Sequence, residues 1–276
     1  MIVQHNMTAL HANRQLGITN TNLARSTEKL SSGYRVNRAA DDAAGLSISE
    51  KMRGQIRGLE QASTNAEDGQ SLIQTAEGAL SEIHSVLQRM RELTVQASND
   101  TNVSADRKAI AKEVRALTSE INRIATQTQF NTMGLLSGGF KNKKLQVGAN
   151  TNQTISITIS SMTAGKLGVS ATVIAKVISS KTGADITKLI TTVNTAITKV
   201  STQRSALGAL QNRLDHTIAN ADNMAENLQS SESKIRDVDM ADEMVSYSAS
   251  SILQQAGQSM LAQANQATQG VLSLLQ

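Results

Sequence analysis

Two series of positions, each seven residues apart, constrain this chain more than any other feature. Positions 45, 52, 59, 66, 73, 80, 87 and 94 read Gly, Met, Leu, Ala, Ile, Leu, Leu and Thr. Positions 48, 55, 62, 69, 76, 83, 90 and 97 read Ile, Gln, Ala, Gly, Ala, Ile, Met and Ala. Interleaved, they step by three and four residues and include no charged residue. A sustained 3.5-residue period draws one stripe along a single continuous helix and asks for a partner helix beside it. At 1.5 Å per residue the helix is roughly 80 Å long. Its many Ala and Gly positions let a partner approach closely. Leu80, Ile83, Leu87 and Met90 are its densest apolar stretch and the expected core seam on this helix.

The composition fits such seams. None of the 276 residues is Pro, Cys or Trp, and the aromatics are Tyr34, Phe130, Phe140 and Tyr247. Ordinary usage includes about 5% proline. So few rings argue against a sandwich, a barrel or a loop-rich catalytic domain, which draw core volume from aromatics. Lack of Cys removes disulfides and thiolate metal sites. No apolar run approaches the roughly 20 residues that cross a bilayer, so no membrane insertion is expected. The opening MIVQHNMTAL lacks the basic start and apolar stretch of a cleavable signal peptide. Net charge is +4, but the signs alternate along the chain. Lys141, Lys143 and Lys144 form the tightest basic cluster with no reader element beside them, so no nucleic-acid partner is expected. His5, His11, His84 and His216 show no ligand spacing, and no phosphate loop or nucleophile elbow is visible. The expectation is a non-enzyme without cofactor or metal.

Further segments repeat the seam. Asp41 and Asp42 are N-cap candidates for the long helix. The polar stretch 98–102 reads as a turn and Ser104 as the next cap. Ile110, Val114, Leu117, Ile121 and Ile124 then predict a helix folded back antiparallel and ending near Thr128. Residues 145–159 change period: Leu145 and Val147, then Ile155, Ile157 and Ile159, alternate with polar residues about a Gly/Asn-rich turn, predicting a β-hairpin. Residues 160–184 read as a short variable connection, with a strand suggested over 169–173. From Ile186 the heptad returns through Leu189, Val193, Ala196, Val200, Gln203, Leu207, Leu210, Leu214, Thr217, Ala221, Met224 and Leu228, with Leu207, Leu210 and Leu214 as core seam. A Ser-rich break is expected at 230–233.

The two ends carry thinner versions. Ile2, Ala9, Leu16, Leu23 and Leu30 recur every seven residues, and so do Asn6, Asn13, Asn20 and Thr27. A polar residue recurring in a narrow seam specifies register at a cost in stability. Leu253, Gly257, Met260, Ala264, Ala267, Val271 and Leu274 step by four and three at the other end. The expected terminal assembly seam is Leu16, Leu23 and Leu30 with Leu253, Met260, Val271 and Leu274. Helices this thin are poorly stable alone and are expected to be disordered in the monomer until partners bury them. The fold class predicted is mainly α: long antiparallel coiled-coil helices formed from both chain ends, with a small central β-hairpin region. The division expected is 1–44 with 233–276 as a terminal coiled-coil domain, 45–159 with 185–232 as a helical core domain, and 160–184 as the connection.

Several stretches resemble bacterial flagellin. They are Leu30-Ser31-Ser32-Gly33-Tyr34-Arg35-Val36-Asn37 followed by Asp41-Asp42-Ala43-Ala44-Gly45; Gln88-Arg89-Met90-Arg91-Glu92-Leu93; and Thr128-Gln129-Phe130-Asn131. Toward the other end come Leu207-Gly208-Ala209-Leu210-Gln211-Asn212-Arg213-Leu214 and Ile252-Leu253-Gln254-Gln255-Ala256-Gly257 with Leu261-Ala262-Gln263-Ala264-Asn265-Gln266. Thr268 departs from the family's usual proline and Gln276 from a frequent arginine. The short middle implies that large outer domains are missing.

The resemblance implies a filament subunit for swimming motility, exported through the flagellar type III apparatus, extracellular, and partnered first by itself. It implies an export chaperone on 233–276, filament cap and hook-junction proteins as further partners, and a hairpin that takes part in switching between two packings. It also implies recognition of the monomer by a host Toll-like receptor through the positions of Arg89, Leu93 and Glu113. Leu93 is expected on the flank of its helix, where a subunit contact is the plainer reading. The alternatives are a hook–filament junction protein and a cytoplasmic coiled-coil scaffold.

Overall fold

The computed structural model describes residues 6–170, 174, 178 and 183–273. In chain order the elements are α1 (Met7–Ser32), α2 (Ala43–Ser98), α3 (Ser104–Gln127), β1 (Gln129–Phe130), β2 (Met133–Gly134), β3 (Lys143–Gln146), β4 (Thr154–Ile157), α4 (Ala164–Leu167), α5 (Gly183–Arg236) and α6 (Met240–Ser273). The mainly α class is as expected. The described residues fall into two compact units, one from 1–56 with 226–276 and one from 57–225, and α2 and α5 each contribute to both.

In the unit of 57–225, the uncharged stripe of α2 is the core. Ala62, Ala66, Ile73, Ala76, Leu80, Ile83, Leu87, Met90 and Ala97 are buried. Helix α5 lies antiparallel to it: Ser63 donates to Asp222 at 2.9 Å and Gln70 to Asp215 at 3.0 Å. Val193, Ala196, Val200, Leu207 and Leu214 are buried on α5, while Leu210 is half-buried. Helix α3 folds back as expected and buries Ile110, Ala111, Val114, Thr118, Ile121 and Ala125. Leu117 and Ile124 sit at the margin of this core. Ser104 is the first helical residue rather than the cap. Val103 holds the cap position, and its N–H donates to Asp106, three residues on, at 3.2 Å.

Strands β3 and β4 pair antiparallel with Leu145 opposite Ile155, the alternation the sequence predicts. Strands β1 and β2 form a smaller hairpin around Asn131 and Thr132, whose φ values are 47° and 63°. Positive φ at both turn residues is the type I′ geometry that matches strand twist. The segment after the large hairpin is more than a connection. Ile159, Met162, Ala164, Leu167 and Val169 are buried in the same core. Met162 N–H donates to Leu136 at 2.9 Å, and the free N–H of Ala164 at the start of α4 donates to Asn122 Oδ1 of α3 at 3.0 Å. Of the strand suggested over 169–173, Val169 and Ser170 are not extended ladder residues and 171–173 lie outside the described residues. Ile174 and Ile178 are helical and buried.

In the other unit, α1 and α6 run antiparallel, and the N-terminal turns of α2 lie beside the end of α5. Asp42 Oδ1 accepts from Gly45 N–H at 2.8 Å, the N-cap of α2. A Cβ at position 45 would collide with that carboxylate, which accounts for Gly in this turn. The Ser-rich stretch 230–233 does not interrupt α5, which runs to Arg236. Ser230 and Ser231 are exposed, and Ser231 Oγ donates to the Asn227 carbonyl of its own helix. The interruption falls at 237–239 instead, opposite the bend after α1. Arg35 N–H donates to the Arg236 carbonyl at 2.7 Å and Val238 N–H to the Gly33 carbonyl at 3.0 Å. Arg236 lies over the Tyr34 ring at 4.6 Å and pairs with Glu50 at 2.8 Å.

Candidate assembly surfaces

The α1/α6 pair has a narrow interior made largely of small and polar side chains. On α1 the inner face steps through Ala9, Ala12, Leu16, Thr19, Leu23, Ser26 and Leu30, with Thr19 and Ser26 buried and the others half-buried. On α6 the half-buried face is Glu243, Tyr247, Ser250, Gln254, Gly257, Leu261 and Ala264. Both faces keep the three-four rhythm of a coiled coil. Gly257 lets the Leu16 side chain come close enough that a Cβ there would stand 3.2 Å from it. Gln254 Nε2 donates to Asn20 Oδ1 at 2.8 Å, Asn6 Nδ2 to the Ala264 carbonyl at 3.0 Å, and Lys29 pairs with Glu243 at 3.4 Å. These polar bonds set the register of the two helices.

Of the expected terminal seam, Leu16, Leu23 and Leu30 lie on this inner face. Leu253 and Met260 do not: they are 60% and 59% exposed. The inner face of α6 is taken one position along at these two steps, by Gln254 and Leu261, while Gly257 and Ala264 lie on it as expected. Leu274 and the side chain of Val271 lie outside the described residues, as does Ile2. The displaced side chains form an outward apolar face of Val245, Ile252, Leu253 and Met260, and α1 presents Met7, Leu10 and Ile18. On α2, Ile48 is also exposed, whereas the seam is buried from Leu59 onward. Monomeric proteins rarely leave apolar rows of this extent uncovered.

A second surface lies where α2 meets α3. Arg89 reaches across to Glu113 through Nε and Nη2 at 3.1 and 3.0 Å, and along its own helix to Glu92 at 3.0 Å. Its hydrogen bond to Glu92, then that to Glu113, raises the guanidinium pKa above its ordinary value. Arg89 and Glu113 therefore share one exposed patch. Leu93 does not belong to it. Expected on the flank, it is 1% exposed, because α2 is covered by α3 as well as α5 and the buried sector is wider than one coiled-coil stripe. Leu72 is buried one position off the stripe in the same way.

The third surface is the large hairpin, seated on α2. Ala149 packs where Gly58 has no side chain, with a Cβ at 58 standing 2.8 Å from the Ala149 Cβ, and Leu145 fills the notch at Gly69. Asn65 Nδ2 donates to the Gln146 carbonyl at 3.2 Å. The small residues at 58 and 69 belong to this seat; position 69 falls in the heptad series, so nothing in that count distinguishes it from a seam position. Among the described residues no group of three or more His, Cys, Asp or Glu is arranged to hold a metal. No helix among them is long and apolar enough to cross a membrane.

The family described as the bacterial flagellin N-terminal helical region matches residues 3–141, and that described as the C-terminal helical region matches residues 190–275. A flagellin of Halalkalibacterium halodurans is 53% identical over 275 residues, covering 100% of both chains. A flagellin of Bacillus subtilis is 48% identical and also covers 100% of both. Among solved structures, a Bacillus cereus flagellin aligns with 60% of this chain and 94% of its own at 31% identity and a TM-score of 0.50. A hook-associated protein from Vibrio parahaemolyticus, described as putative in function, aligns with 71% of this chain and 100% of its own at a TM-score of 0.62, but at 12% identity it shares the fold alone.

Proposed function

The chain belongs to the bacterial flagellin family and is a structural subunit of the flagellar filament, and we propose that it joins neighbouring copies through the outward faces of α1 and α6. The observation that carries this reading is the apolar row of Leu253, Ile252, Val245 and Met260, exposed beside an inner seam already filled by its own partner helix. A thin α1/α6 pair has little buried apolar area and gains its full stability when copies cover that row. The family's role is structural rather than enzymatic, in the extracellular filament. A stiff helical polymer of this kind transmits torque. Delivery uses the flagellar type III apparatus, and a chaperone masks 233–276 before export, since an uncovered apolar helix invites premature association. Cap and hook-junction proteins meet the same terminal helices at the two filament ends. The hairpin seated at Gly58 and Gly69 belongs to the switch between two subunit packings.

Seeded elongation tests the central reading. Sheared filament seeds extend with wild-type chain, whereas Leu253→Asp with Met260→Asp abolishes extension while the 57–225 unit keeps its helical signal. Extension at the wild-type rate by that variant contradicts it. Receptor recognition rests on the Arg89, Glu92 and Glu113 patch, with Leu93 supporting it from beneath. Arg89→Ala in purified monomer is expected to weaken activation of the flagellin-sensing Toll-like receptor, and unchanged signalling would remove this part of the reading.

A further inference from the structure

We propose that Met7, Met240, Met244 and Met260 form an oxidant-sensitive modification site whose conversion to sulfoxide bars the monomer from the filament. The inference rests on assembly through the outward faces of α1 and α6. Methionine placement in this chain is strongly divided. Met90 and Met162 are 0% and 3% exposed inside the core, Met133 and Met224 are 40% and 48% exposed elsewhere in the 57–225 unit, and Met7, Met240, Met244 and Met260 are 53%, 48%, 50% and 59% exposed on α1 and α6. Met7 lies one turn from Leu10, and Met260 one repeat from Leu253, so these two thioethers belong to the apolar rows that neighbouring copies cover, and Met240 and Met244 are exposed on the same helix pair. The chain has no cysteine to intercept an oxidant first.

The reagent class is a two-electron peroxide oxidant. The thioether sulfur attacks one oxygen of hydrogen peroxide, an S–O bond forms, and the O–O bond breaks. Sulfur is oxidised by two electrons, and the displaced hydroxide takes up a proton and leaves as water. The flexible apolar side chain becomes polar and chiral. A sulfoxide in an apolar row must be desolvated without a partner when the next copy docks, which opposes docking. Once a copy is incorporated its methionines are covered, so oxidation acts on addition of monomer and leaves formed filament intact.

The experiment treats purified full-length monomer with hydrogen peroxide, maps sulfoxides by peptide mass spectrometry, and measures seeded elongation. The expected result is sulfoxide at the four terminal-pair methionines with Met90 and Met162 unmodified, and elongation slowed at least about tenfold. Treatment with methionine sulfoxide reductases restores the rate. A variant carrying Met7→Leu, Met240→Leu, Met244→Leu and Met260→Leu keeps side-chain volume and elongates equally before and after peroxide. The proposal is overturned if oxidised wild-type chain elongates at the untreated rate, or if the leucine variant is slowed as much as wild type, which would assign the effect to Met133 or Met224. Should the leucine variant fail to elongate untreated, recovery by the reductases decides: restored rate supports the proposal and a persistent block overturns it. Untreated wild-type chain that does not elongate overturns the assembly reading and this proposal with it.

Discussion

At the scale of single residues, burial separates side chains that the motifs place together. Arg89 and Leu93 lie one turn apart, yet one is an exposed guanidinium in a charged cluster and the other is enclosed between helices. Leu93→Ala leaves a cavity and is expected to cost about 2–5 kcal/mol of stability, whereas Arg89→Ala removes only an exposed, solvent-screened ion pair and costs far less. Thermal denaturation of the two variants checks this, and equal losses would contradict it. A change in receptor signalling on Leu93→Ala is then to be read through its packing. Thr132 offers a test of the opposite sign. A β-branched residue at φ 63° is strained, and its neighbour Asn131 is a residue that tolerates the left-handed region. Thr132→Gly is expected to stabilise the 57–225 unit by roughly 1 kcal/mol, because glycine adopts this turn without strain. A fall in denaturation temperature would contradict it.

At the scale of elements, the stripe of α2 and the alternation of β3 and β4 were legible because apolar side chains themselves mark the period. The inner face of α6 was not. Apart from Tyr247 and Leu261 its side chains are Gly, Ala, Ser, Gln and Glu, which carry no hydrophobic signal, so Leu253 and Met260 drew the seam one position aside at two steps. Segment 160–169 escaped for another reason: Met162, Leu167 and Val169 are buried by α3 and α5, which lie far away in the chain. The close fit at Gly257 gives a direct prediction. Gly257→Leu inserts a branched side chain against Leu16 and is expected to separate α6 from α1, seen as faster amide exchange in both helices, while the 57–225 unit keeps its denaturation temperature. Unchanged exchange in α1 would show that the seam has another register. The bend before α2 carries a pH dependence. Asp41 accepts from Arg38 N–H at 3.0 Å and from Asn37 N–H at 3.2 Å. The Arg38 bond acts first; desolvation, the next largest effect, opposes it, and the Asn37 bond with the charges of Arg25 and Arg38 leaves the carboxyl below the ordinary range. A lowered carboxylate pKa adds stability above the ordinary value near about 4, and that stability disappears as pH falls through the lowered one. Exchange at the Arg38 amide is therefore expected to accelerate relative to its intrinsic rate as the solution is acidified through that range. Asp41→Asn should remove this acid dependence.

At the scale of the whole molecule, the chain completes one seam internally and leaves another open. The 57–225 unit has a closed core, and its buried apolar side chains need no second copy. The α1/α6 pair closes a seam made largely of small and polar residues around Leu16, Leu23, Leu30 and Leu261, and leaves a second set of large apolar side chains, Val245, Ile252, Leu253 and Met260, outward. This explains the composition on physical grounds. Proline would interrupt helices that must stay continuous, and rings would not fit between backbones held close at Gly257 and Ala264. The absence of cysteine supplies the most direct test. Single thiols introduced as Leu253→Cys and Met260→Cys report on those two positions without background. Maleimide labelling of each is measured in monomer and again in polymerised filament, with Lys108→Cys on exposed α3 as reference. The account predicts ready labelling of both in monomer and at least about tenfold slower labelling in filament, after normalisation to the reference. Equal normalised rates in the two states would contradict it, because the outward rows of the terminal pair would then remain uncovered in the polymer.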